Sequence, residues 1–95
     1  MLARTRHLTP ADRTTIDVAV QVLRAAVDSS RTEKVDTLPV RLALRVLLPH
    51  CPERWPLVNL WEFSSSDDPI FRGQNVSAAF NAIVLQLAKS GAWRE

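Results

Sequence analysis

Cysteine and glycine are scarce in this chain, and each scarcity removes a class of chemistry. One cysteine, Cys51, stands among 95 residues, so no disulfide can form within the chain. A lone thiol fits a reducing, cytoplasmic setting. Gly73 and Gly91 are the only glycines, too few for a loop that cradles phosphate. Two of the twelve cations are lysine and the rest arginine. No stretch approaches the roughly 20 apolar residues of a membrane span. The first residues, Met1 to Leu8, lack the apolar run of a signal peptide.

What remains is a globular composition, 46% apolar and 23% charged, in a length suited to one domain. The net charge of +2 falls short of the dense basic footprint of a nucleic-acid binder. Residues 1–8 read as a flexible arm and 9–95 as a single helical domain.

The helix signals are local. Thr9-Pro10-Ala11-Asp12 offers a cap, a proline for the first turn and an acid at the positive end of the dipole. The first helix is predicted from Pro10 to about Asp28. Arg13, Asp17, Gln21, Arg24 and Asp28 share a polar stripe, while Ile16, Val20, Leu23 and Val27 are expected to form the apolar spine opposite it. Val18, Val22 and Ala25 extend the apolar surface well beyond the stripe a single contact needs. After a polar loop to Thr37, capped by Asp36 or Thr37, a second helix runs from Leu38 to Leu48. It is apolar around nearly its whole circumference except at Arg41 and Arg45, so it is predicted to be central. Pro49 ends it.

Three prolines in eight residues, Pro49, Pro52 and Pro56, force a corner. A third helix is expected from Pro56 to about Phe63, with Trp55 and Trp61 largely buried. Residues 64–69 read as a loop and Ile70 with Phe71 as an apolar plug. The last helix, capped by Asn75 or Ser77, should span Val76 to Ser90, stopped by Gly91, with Trp93 folding back as a clasp. Its core face is Val76, Phe80, Ile83, Val84 and Leu87. Ala78, Ala82 and Leu85 face the other way. The fold class is therefore all-α, a single-domain bundle of about four helices with a central apolar helix (38–48) and a Pro/Trp-rich corner.

Candidate chemistry is thin. His50 and Cys51 are adjacent between two prolines, where neighbouring side chains point apart rather than converge as a nucleophile and base must. His7, His50, Cys51, Asp67 and Asp68 show no metal-ligand spacing. No catalytic, cofactor or metal site is assigned, and an enzyme is not expected.

Two functions use the same surfaces. The favoured one is a small cytoplasmic regulatory or adaptor protein. It would bind a protein partner, or itself as a homodimer, through Val18, Val22 and Ala25 or through Ala78, Ala82 and Leu85. The alternative is a helix-turn-helix DNA-binding regulator whose last helix reads bases. Gln74, Asn75, Ser77 and Asn81 would be its readers, with Arg72 and Lys89 on phosphate. Against it stand a connection longer than the usual three- or four-residue turn and alanines where donors should be.

Overall fold

The four predicted helices are present, and side-chain caps open the first two. A computed structural model of the chain describes residues 8–30, 35–65 and 75–94. The arm at 1–7, most of the first loop (31–34) and the segment 66–74 lie outside the described residues. With them go Asp67, Asp68, the Ile70-Phe71 plug, Arg72 and Gln74.

Helix α1 spans Pro10–Ser29. Thr9 and Asp12 close a reciprocal cap. The Asp12 amide donates to Thr9 Oγ1 and the Thr9 amide to Asp12 Oδ2, each at 3.0 Å. These bonds satisfy two of the amides every helix start leaves without partners. The Thr9 amide and hydroxyl also hold the Asp12 carboxyl below its ordinary value of 3.8, the backbone amide contributing most. At the other end Ser30 is fully buried, yet its hydroxyl donates to Val27 O at 2.8 Å, so its burial leaves no polar group unmet.

Helix α2 spans Thr37–Leu47 and is capped by Asp36, which accepts from the Leu38 amide at 3.2 Å. Pro49 cannot donate the next helical bond, and the chain tightens into a 3-10 turn at Leu48–His50. Helix α3 spans Trp55–Ser64 with Pro56 in its first turn, where a missing amide costs nothing. Helix α4 spans Asn75–Ser90.

Around the core the helices close a ring, α1 against α2, α2 against α3, α3 against α4, and α4 against α1. The described residues contain no strand. The interior is built from Ile16, Val20 and Leu23 of α1, Val40 and Leu47 of α2, Leu60 of α3, and Ile83 and Leu87 of α4. The polar stripe of α1 borders this spine rather than lying opposite it, and it carries the contact with residues 91–93. Gly91, at φ 80°, reverses direction after α4. The amides of Gly91 and Ala92 donate back to Ala88 O at 3.1 Å and Leu87 O at 2.9 Å, the paired bonds of a Schellman stop. The reversal lays Trp93 against α1. Its ring is 5% exposed, its Nε1 donates to Asp17 Oδ1 at 2.8 Å, and the Arg24 guanidinium lies 5.9 Å from both its ring and that of Phe80. Arg13 donates to Gly91 O at 2.8 Å.

The aromatic corner differs from expectation. Trp55 is 51% exposed and Trp61 40%. At 100° per residue, Pro56, Leu60 and Ser64 fall on one line of α3, and these with Leu57 are its buried residues. Trp61 lies one step beyond Leu60, at the rim, while Trp93 takes the interior place. The corner is held instead by Gln86 of α4. Its side-chain amide accepts from the Glu53 amide at 2.8 Å and donates to Glu53 O at 3.1 Å.

Candidate functional site

Helix α2 packs between α1 and α3, but it is not covered on every side. Val40, Ala43, Leu44 and Leu47 are buried, whereas Leu38 is 63% and Leu42 52% exposed. Leu38, Leu42 and Arg45, spaced four and three apart, form an outward ridge.

A groove runs on each side of this ridge. Toward α1 it measures about 370 Å³, with Val18, Val22, Leu42 and Val46 among its walls and Ala19 and Ala43 in its floor. It continues into a depression that reaches Ala25 and Val35. Toward α3 the groove is about 400 Å³ and is lined by Leu44, Arg45, Leu48, Leu57, Val58 and Trp61. Among the described residues Arg45 is the one charged residue in the walls of the two grooves.

The α3 wall is braced from behind. Arg41 Nε donates to Ser64 Oγ at 3.2 Å, and its Nη2 to Ser65 Oγ at 2.7 Å and Ser64 O at 3.4 Å. Its guanidinium also lies 5.2 Å from the Trp61 ring. One cation thereby satisfies the carboxyl end of α3 and fixes the tilt of an exposed indole. A surface held in place in advance loses less conformational entropy when covered.

The sequence-derived residues distribute as follows. Val18 and Ala25 are exposed and Val22 half-buried, all on the α1 side of the first groove and its extension. On α4, Ala78 and Leu85 are exposed and Ala82 half-buried, and neither groove beside α2 includes them. Leu38, Leu42, Leu48 and Val58 were not singled out by sequence reasoning. The signal was Arg45: a cation on a helix marks its wet side, and Leu38 and Leu42 stand within two turns of it on that side.

The DNA-reading candidates are placed in part. Arg72 and Gln74 lie outside the described residues, and Asn75 opens α4. Asn81 and Lys89 are exposed, but Ser77 is half-buried. Ser77 and Asn81 share a depression with Arg24, Asp28 and Phe80. A helix docked there against α1, beside a carboxylate, is poorly disposed to enter a groove walled with phosphate.

Cys51 is buried, and burial pushes its thiol up to about 11, with Arg54 pulling weakly the other way. A thiol held protonated is a poor nucleophile. Among the described residues no three of histidine, cysteine, aspartate and glutamate are grouped to hold a metal ion, and no helix is long and apolar enough to cross a membrane.

No family model, curated protein or solved structure matches the chain.

Proposed function

We propose that this chain is a small cytoplasmic regulatory or adaptor protein that acts by protein–protein contact through the face around α2. The observation that carries this reading is the exposure of Val18, Leu38, Leu42, Leu48, Val58 and Trp61, each 40% or more, over three adjoining helices. Scattered apolar side chains on a surface mean little, but a contiguous face beside preformed grooves is the usual form of a binding site. Covering the exposed half of six such side chains is worth roughly 6 kcal/mol. That is near the lower end of the association cost, about 4–15 kcal/mol. Polar contacts at the groove lips must supply the remainder, which suits a reversible regulatory contact.

A photo-crosslinking residue at position 42 or 58, introduced in the cell that makes the protein, tests this. Discrete protein adducts are expected from both positions and not from position 21, an exposed site on the polar stripe of α1. Equal labelling from all three would overturn the reading. So would sequence-selective duplex binding at physiological salt that is lost in Asn81→Ala.

A further inference from the structure

We infer that the occupant of the α2–α3 groove is an amphipathic helix of another protein, with carboxylates flanking its apolar face. This inference rests on the reading of the face around α2 as a protein-binding surface and names the chemistry of its partner.

Shape and charge carry the argument. The groove is a concave space of about 400 Å³ between two helices, lined by Leu44, Leu48, Leu57, Val58 and Trp61 as well as Arg45. A helix can lay a row of apolar side chains into such a cleft, whereas a flat lipid surface would not reach its floor. Cations are spread along the edge. Arg54 stands at the corner end, one turn before Val58 and on the same side of α3. Arg45 stands in the α2 wall. Arg41 lies behind Trp61, at the end marked by Ser64 and Ser65. Against these stands the carboxylate of Glu62, four residues beyond Val58. Glu53, the other acid of the corner, is tied by its backbone to Gln86 of α4 and does not line the groove.

Two of these cations are exposed and serve nothing within the chain. Among the described residues neither Arg45 nor Arg54 has a carboxylate partner. Arg54 moreover opens α3 without making a side-chain cap. A cation there works against the positive end of the helix dipole, and an incoming carboxylate would meet both the guanidinium and the helix start. A second copy docked about a two-fold axis would instead set the cationic edge against itself.

Fluorescence anisotropy of the full chain with a labelled peptide is the direct test. The probe is a designed helix of about 15 residues with leucines along one face and glutamates flanking them. Its comparator carries lysine at every glutamate position. The glutamate probe is expected to bind, more weakly as salt rises, and about tenfold more tightly than the comparator. Arg45→Glu and Arg54→Glu, each made alone, should weaken the glutamate probe about three- to tenfold and tighten the comparator. Val58→Asp should abolish binding of both with an unchanged far-ultraviolet helix signal. A glutamate probe that does not bind, equal affinity for the two peptides, or indifference to both arginine changes would overturn the proposal. So would sedimentation with phosphatidylserine vesicles that is lost in Val58→Asp while neither peptide binds, which would assign the face to a membrane. Crosslinking from position 58 separates these failures from failure of the broader reading. Discrete protein adducts with no preference between the peptides refute the acidic partner alone, and no adduct at all refutes both.

Discussion

Trp93 donates its indole hydrogen to Asp17 at 2.8 Å, joining residues 76 positions apart. The bond is the polar end of a buried contact, since the ring itself is 5% exposed. Trp93→Ala is expected to cost about 3–5 kcal/mol in urea unfolding, the range for truncating a buried aromatic. Trp93→Phe keeps a ring beside Arg24 and loses only the donor, so about 1 kcal/mol is expected. Equal losses for the two would show that the hydrogen bond, not the packing, dominates.

The rim position of Trp61 gives the opposite expectation. Trp61→Ala should cost less than about 2 kcal/mol, whereas Leu60→Ala, one residue earlier and 1% exposed, should cost about 2–5 kcal/mol. Thermal unfolding of the pair measures this. A Trp61→Ala loss equal to that of Leu60→Ala would place the indole in the core after all.

Cys51 should label slowly with a thiol reagent at pH 8 in the folded protein and rapidly in denaturant. The unfolded thiol releases its proton near 9.0 and the folded one only near about 11. Below pH 9 both states keep the proton and the thiol has no effect on stability. Between pH 9 and about 11 the unfolded state gains by ionising, so stability should fall there. Cys51→Ala should lack this alkaline loss, and a parallel decline in both proteins would assign it elsewhere.

At the start of α1 the dependence runs the other way. Asp12 is held below 3.8 by its bonds to Thr9, so its contribution is present above that pH. It is lost as pH falls through the lower, folded value. Asp12→Asn should therefore be less stable than wild type at pH 7 and converge with it toward pH 2. A constant difference across that range would rule out the carboxylate as the source. Thr9→Ala, which removes the cap hydroxyl, should cost about 1 kcal/mol at pH 7.

The helix boundaries were legible because local chemistry sets them. Thr9 with Pro10, Asp36, Pro49, Pro56 and Gly91 each act within one turn, and the observed ends fall within one residue of those expected. Burial was less legible because it depends on which neighbours arrive. An all-apolar circumference on α2 suggested a helix covered on every side, and the placement of α1 and α3 leaves Leu38 and Leu42 in the open. The same limit applies to the tryptophans. A rim place and a core place on α3 differ by one 100° step, and composition does not choose between Leu60 and Trp61. The α1 members of the candidate face, Val18 and Val22, could be named from surplus apolar surface. The groove beside Trp61 could not, since it exists only once α2 and α3 are set side by side.

The Gly91 reversal has a bearing on how the molecule comes into being. The ribosome delivers α1 first, with Asp17 and Arg24 on its stripe, and the ring that covers that stripe arrives 76 residues later. At about 5–20 residues per second the interval is roughly 4–15 s. Throughout it the spine of α1 lacks its last covering side chains. Nascent chains are therefore in greatest need of a chaperone during that interval, and a truncation before residue 92 would prolong it indefinitely.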